Sequence, residues 1–391
     1  IDIDRCLESQ GPFDLILHKC TGLMVKAAEG NTTAIQQIQN IKSYVKNHPS
    51  CILVDPFDSI KKLIDRNEQY KLLLQCHLLD SDSSVFTPSF VELTTTDVVT
   101  NRQRLKEAHV SFPFVCKPTQ AHGTSLSHQM AIIFDEDGLK DVQPPCVAQT
   151  FLNHNAVLFK VFVIGNKQFV VERPSIKNFS SRDHTTIFFD SNNVSKPNCA
   201  NFLTELDAID LDRTPVNPDI GRLQELGRVI SQELQMELFG IDVIIDCETK
   251  KYAVIDINAF PGYEGVDNFI ELLCDLLNSL MDNQSKLLCH GNETDMATNL
   301  KRPSDVIFDR DSDCTKRLKV SQTSAPTSQD NQTCRCAENS DRNANINHRE
   351  QIKGCRGYRS DDLTSQEDDL DQYQESCDSI SANKTSNNIE K

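Results

Sequence analysis

No apolar run in this 391-residue sequence approaches the roughly 20 residues that a membrane-spanning helix needs, and no secretory leader is visible. Excess positive charge is also missing. Forty lysines and arginines stand against 57 aspartates and glutamates, a formal net charge of −17. A chain of that sign does not bind nucleic acid through its overall field, although local cations can still hold an anionic ligand. There is no cysteine framework for a metal. Fifteen cysteines are spread without a repeated spacing, and Cys334 and Cys336 have no second pair at zinc-finger distance. They read as reduced intracellular thiols. No internal repeat is evident. The chain opens at Ile1 without an initiator Met and enters an apolar run at 13–18, so the expectation is that a first structural unit is missing.

What is present suits two or three α/β units, since 38% of residues are hydrophobic and can fill a large core. Short β-rich runs at 13–18, 51–54, 112–117, 130–134, 146–151, 156–164, 168–172, 239–245 and 252–257 alternate with helical patterns, an α/β or α+β class. Ile220, Leu223, Leu226, Ile230, Leu234 and Leu238 recur at three- and four-residue steps and predict a helix over 219–238. Asn217 is the expected cap and Pro218 the expected first helical residue. A second helix is expected after Asp267, burying Phe269, Ile270, Leu273, Leu276, Leu277 and Leu280. From residue 284 the composition turns to Ser, Asn, Asp, Thr, Gln and Lys, and 284–391 reads as a disordered polar tail. Lys301-Arg302 and Lys316-Arg317-Leu318-Lys319 have the spacing of a two-part nuclear import signal, though a solvated charge cluster is the plainer reading.

The chemistry concentrates in the runs 239–245 and 252–263, joined by the turn 246–251 as a hairpin. Both runs are apolar and β-branched, yet Asp242, Asp256 and Asn258 interrupt them. An unpaired buried carboxylate is costly. Asp256 and Asn258 are two apart and share a face, and Asp242 can face the same space. Three hard oxygen donors so placed suit magnesium; the alternative is hydrogen-bonded strand-end polars. Lys160 interrupts the apolar run 157–162 and calls for an anion, either a ligand or a carboxylate on a neighbouring strand.

The remaining segments bring a resemblance. They are Gly11-Pro12-Phe13-Asp14-Leu15-Ile16-Leu17-His18-Lys19, Phe112-Pro113-Phe114-Val115-Cys116-Lys117, Ala121-His122-Gly123-Thr124, Asn153-His154-Asn155-Ala156-Val157-Leu158-Phe159-Lys160, Arg173-Pro174-Ser175, Asn193-Val194-Ser195-Lys196-Pro197 and Asp256-Ile257-Asn258-Ala259-Phe260-Pro261-Gly262-Tyr263-Glu264-Gly265-Val266. In this order the chain resembles the inositol-tetrakisphosphate 1-kinase family, also called inositol 1,3,4-trisphosphate 5/6-kinase. The resemblance implies an ATP-grasp fold: the remnant of a Rossmann-like N-terminal domain at 1–65, a central ATP-grasp domain at 66–150, a C-terminal ATP-grasp domain with the metal site at 151–283, and the tail. It implies ATP- and Mg2+-dependent phosphorylation of an inositol polyphosphate hydroxyl.

It also implies roles. Arg66, Lys117, Gln149, Phe151, Ser175, Ser191 and Ser195 belong to the nucleotide site, with 149–151 as the adenine hinge. Lys19, His122, Gly123, His128, Lys160, Arg173, Asn258 and Gly262 belong to the substrate site. Asp242, Asp256 and Asn258 hold the metal, and Lys160 and Asp256 act in catalysis. Two departures stand out: an extra residue, Leu126, in the loop before His128, and the lack of a first strand and helix that carry a substrate-binding lysine. The expected partners are ATP and an inositol polyphosphate, not nucleic acid or membrane. A monomer is expected when the chain is complete, in the cytoplasm, with a nuclear pool as the alternative. The rival readings are a carboxylate–amine ligase of the same fold and a non-catalytic nucleotide-binding fragment.

Overall fold

The computed structural model describes residues 1–76, 84–123, 125–179, 184–195, 202–211 and 217–298, with backbone alone over 287–298. The basic pieces at 301–302 and 316–319 lie outside the described residues. Strands β1 (Leu15–Leu17) and β2 (Ile52–Val54) pair in parallel. Parallel neighbours need a crossover, and α1 (Thr21–Ala28) with α2 (Thr32–Asn47) supplies it. The Asn31 side chain caps α2 by accepting from the Ala34 amide at 3.0 Å. Leu7, Ile16, Ile41, Tyr44, Cys51 and Phe57 form the core of this unit. Among the described residues β1 pairs with no strand but β2.

The chain continues through α3 (Phe57–Ile64), α4 (Arg66–Gln75), β3 (Val85–Phe86), β4 (Phe90–Leu93), α5 (Val98–Glu107), β5 (Phe114–Pro118), β6 (Gln129–Ile133) and β7 (Cys146–Thr150). Then follow β8 (Val157–Ile164), β9 (Lys167–Pro174), β10 (Ile187–Asp190), the single turn α6 (Asn192–Ser195), α7 (Ile220–Leu234), β11 (Leu238–Ile245), β12 (Tyr252–Ala259) and α8 (Phe269–Thr298). They build two five-stranded sheets, β10-β6-β5-β7-β4 and β3-β12-β11-β8-β9. The sheets exchange strands: β3 precedes residue 150 yet pairs with β12, and β10 follows it yet pairs with β6. The expected boundary at 150 therefore falls between the two sheets except for β3 and β10. The short strands β3, β4 and β10 carry no periodic signal strong enough to be read beforehand.

Alternation decides what faces what. Phe159, Val161 and Val163 of β8 and Phe239, Ile241, Val243 and Ile245 of β11 share one core with Leu223, Leu226, Ile230 and Leu234 of α7. Each such side chain contributes about 1.5–3 kcal/mol of burial. The opposite face of the same strands carries Lys160 and Asp242.

Two expectations need correction. The cap of α7 is Asp219, whose carboxylate accepts from the Arg222 amide at 3.1 Å; Asn217 and Pro218 precede it. The helix stops at Leu234, where Gln235 turns left-handed (φ 54°), so Leu238 opens β11 and matches the helical stripe only by coincidence of phase. Second, α8 runs to Thr298, so the polar segment does not leave ordered structure at 284. Once an apolar first half has nucleated a helix, each further residue adds a hydrogen bond whatever its polarity, and no proline interrupts before Pro303.

Asp55, directly after β2, joins the N-terminal unit to β11. Its carboxylate accepts from the amides of Glu237 at 2.7 Å and Leu238 at 3.1 Å, and its carbonyl takes the His18 ring at 2.8 Å. Burial pushes its pKa from 3.8 up to about 6, against the two amide bonds that lower it. The folded state thus keeps a proton that the unfolded chain has released. This group's stability contribution is full below pH 3.8 and is lost as pH rises through about 6. Urea denaturation of wild type and Asp55→Asn from pH 4 to 7 should show the wild type losing about 2–3 kcal/mol relative to the variant over that range. Parallel pH curves would refute this.

Candidate active site

The site begins with a break in a strand. β11 and β12 run in register from Phe239↔Ala259 to Asp242↔Asp256, but Val243 pairs with Val254, leaving Ile255 as an extra residue. Such a bulge inverts the alternation. Tyr252 and Val254 point to the α7 core before it, Ile257 and Ala259 after it. Asp256 and Asn258 are thereby moved to the other face, beside Asp242. Lys160 of β8 lies opposite Asp242 on the far side, its Nζ 3.2 Å from Asp242 Oδ1. The Asn258 amide nitrogen donates to Asp242 Oδ2 at 3.3 Å. Asp242 Oδ1 is buried, with the Lys160 ammonium as its partner. Burial pushes the Asp242 carboxyl up; Lys160 opposes this and Asp256 adds to it. Among the described residues no three His, Cys, Asp or Glu side chains gather as a metal cluster; the third polar side chain beside Asp242 and Asp256 is the Asn258 amide. Two facing carboxylates and an amide, with a single lysine to balance the charge, fit a hard divalent cation.

The bulge also frees the Ile255 carbonyl. It accepts from Tyr70 Oη at 2.8 Å and from Lys117 Nζ at 2.9 Å. Lys117 completes its three donations on Tyr70 Oη and Gln149 Oε1, each at 2.9 Å. These acceptors are neutral and the lysine is buried, so desolvation lowers its pKa to about 8 although Asp256 pulls it up. At pH 7 it stays charged. Gln149 Nε2 is buried without a partner.

Toward the other end of the face, Arg173 donates to the Glu264 carbonyl and stands 3.5 Å from Glu264 Oε2. Lys19 leans over the Phe260 ring at 5.7 Å, beside the Gly262 loop. His122 closes the space from the 119–128 loop. Its Nε2 is buried and unpartnered, and burial holds its pKa near 4, with Asp256 pulling up and Arg66, His128 and Lys160 pushing down. Gly123 takes φ +90° and packs on Val25 so closely that a Cβ would press on it. The extra Leu126 swings into solvent, 69% exposed. His128 still reaches Ser191, ring Nδ1 to Oγ at 3.1 Å.

Other expected residues are turned onto protein. Arg66 is 2% exposed, and its terminal nitrogens donate to the carbonyls of Pro118 (2.7 Å), Gln120 (3.1 Å) and Ser127 (3.3 Å). It ties down the 118–127 loop. Ser175 Oγ sits 2.7 Å from His154 Nε2, and Ser195 Oγ donates to the Ser191 carbonyl at 3.2 Å. Phe151 stacks edge-on with Phe179 and lines a cavity of about 370 Å³ with Phe112, Pro113, Asn153 and Asp246. A larger cavity, about 500 Å³, contains none of the expected site residues; it opens on the opposite side of the sheet from Lys117, beside Cys116 and Cys146.

Family profiles match most of the described chain. Residues 79–279 match the inositol 1,3,4-trisphosphate 5/6-kinase ATP-grasp domain, and residues 1–60 its pre-ATP-grasp domain. The inositol-tetrakisphosphate 1-kinase of Danio rerio is 43% identical over 293 residues, covering 74% of this chain and 72% of that protein. The Xenopus laevis enzyme of the same name is 42% identical over 283 residues, covering 72% and 70%. The chain belongs to the inositol 1,3,4-trisphosphate 5/6-kinase family. Among solved structures, the D-alanine–D-alanine ligase of Bacillus anthracis aligns over 72% of this chain and 83% of its own at 15% identity and a TM-score of 0.41; nothing about the reaction follows from it. The family membership sets aside the ligase and non-catalytic readings. No helix among the described residues is long and apolar enough to cross a membrane.

In this kinase chain the sequence reading missed Tyr70 and Gln69, both fully buried on α4, where Gln69 donates to the Ile257 carbonyl. A signal was available: Arg66, Gln69 and Leu73 fall on one helical stripe, and polar residues on a buried stripe need partners. The clamp of Arg66 is testable. A lysine cannot span three carbonyls, so Arg66→Lys should lose about 2 kcal/mol in urea denaturation. Amide exchange over 118–128 should quicken while α7 is unaffected. Unchanged exchange in that loop would contradict the clamp.

Proposed function

We propose that this kinase transfers the γ-phosphoryl group of ATP to a hydroxyl of an inositol polyphosphate, with Mg2+ held by Asp242, Asp256 and the Asn258 amide oxygen. The observation that carries this reading is the single face on which Asp242 and Asp256 oppose each other while Lys160 stands across from Asp242. Hard donors and a fixed cation on one surface suit phosphate oxygens better than a neutral or cationic substrate. A bound divalent cation supplies charge neutralisation on the nucleotide phosphates. Lys117, whose three N–H bonds are taken by neutral oxygens, exchanges one of them for a phosphate oxygen when the nucleotide binds. Lys160 faces the phosphoryl group in transfer. Lys19, Arg173 and the loop of His122 and Gly123 hold the substrate phosphates and align one hydroxyl, with His128 and the backbone at Gly262 completing the pocket. Phe151 and Gln149 border the adenine, and Ser175, Ser191 and Ser195 line the nucleotide side. Positioning and electrostatics supply most of the rate, as expected for phosphoryl transfer.

ADP release with ATP, Mg2+ and inositol tris- or tetrakisphosphates, compared with pairs of amino acids, tests the reaction. Release is expected with the inositol phosphates only; release with amino acids alone would overturn the proposal. Asp256→Ala should lower kcat by at least about a thousandfold, since the metal supplies several kcal/mol, while circular dichroism shows an unchanged fold. A folded variant with near-normal turnover would remove Asp256 from the metal site.

A further inference from the structure

Arg173 is 6% exposed, yet its guanidinium is only partly used. One terminal nitrogen meets the Glu264 carbonyl and, at 3.5 Å, Glu264 Oε2, while Nε is buried with no partner. A buried cation held this loosely is poorly compensated. The Glu264 carboxylate that approaches it also lies directly over Gly262, where a Cβ would collide with Oε1. Lys19 stands over Phe260 in the same loop. One carboxylate thus occupies the space between Arg173 and the Gly262 backbone.

The backbone and side chain of Glu264 differ in freedom. Arg173 pins the backbone through the carbonyl, and Gly265, at φ +85°, lies so close to Val171 of β9 that a Cβ would clash. The side chain is 62% exposed and has no hydrogen-bond partner but Arg173 among the described residues. An exposed carboxylate at 3.5 Å holds an arginine weakly. A phosphate accepts stronger, charge-assisted bonds in a fork that a guanidinium matches.

We propose that the Glu264 carboxylate is a displaceable stand-in anion. It partners Arg173 while the site is empty and must swing aside when a phosphate of the inositol ligand arrives. This rests on the kinase reading above and adds to it a residue that sets substrate affinity and selectivity. A ligand with a phosphate at this position displaces the carboxylate; one with a hydroxyl there leaves it in place and gains nothing from Arg173.

Glu264→Gln keeps the size and the backbone carbonyl and removes the competing charge. Calorimetric titration of an inositol tetrakisphosphate into the full chain, without ATP, should give a Kd about 3–10-fold lower for the variant, the effect of one unit charge about 5 Å away in a wet site. Binding of ATP with Mg2+ serves as the control and should not shift. Equal or weaker inositol phosphate binding by Glu264→Gln would overturn the proposal. The kinase reading is judged separately: the expected Kd ratio without ADP release by either protein would end that reading and leave the stand-in anion standing, whereas wild-type turnover with an unchanged Kd ratio would end the proposal alone.

Discussion

Two carboxylates facing each other across a buried strand pair are the constraint around which this kinase is arranged. Asp242 and Asp256 are direct partners in the β11–β12 ladder, and like charges so placed destabilise a sheet. Lys160 on the third strand and the Asn258 amide offset part of that cost. The rest is left standing, since Lys160 is one cation against two facing carboxylates. A protein keeps such a defect where a ligand resolves it.

The bulge at Ile255 makes the opposition possible and organises the other half of the site. With unbroken alternation, Asp256 would share the face of Tyr252 and Val254 and enter the α7 core. With the bulge, one extra residue moves both polar side chains out and releases one carbonyl. That carbonyl fixes Lys117 and Tyr70, so the lysine of the first sheet is set against the carboxylates of the second. Asp55 contributes from the third side. It fastens the amides at the start of β11 to the segment that carries His18 and Lys19. The three structural units thus meet at one face through backbone groups, which hold position better than pairs of long side chains.

Much of this was legible in the sequence where a side chain contradicted its surroundings. Asp242, Asp256 and Lys160 stood out because each interrupts an apolar strand, and all three lie on one face. The adenine-side serines had no such signal, and Ser175 and Ser195 are engaged with protein partners. Arg66 is in the fold as expected, but its head is spent on carbonyls of a loop whose path no local pattern reveals. The bulge was invisible, because Val254-Ile255-Asp256 reads as unbroken strand whichever way it pairs. The end of α7 was misread for the converse reason: Leu238 matches the helical period although Gln235 has already turned the chain. Strands of two to four residues, such as β3 and β10, are defined by their partners in the sheet rather than by their own composition.

The central claim is that the opposed carboxylates are maintained for a cation rather than for stability. The direct measurement is the thermal midpoint of wild type and Asp256→Asn, each alone and with Mg2+ and a non-hydrolysable ATP analogue. Without ligand the variant should melt at the same temperature as wild type or higher, since one of two repelling charges is gone. With ligand at a hundred times its Kd the wild type should gain about 2.7 kcal/mol, and the variant should lose most of that gain when Mg2+ is the only difference between samples. A variant that melts well below wild type without ligand, yet keeps the full Mg2+-dependent gain, would contradict the account.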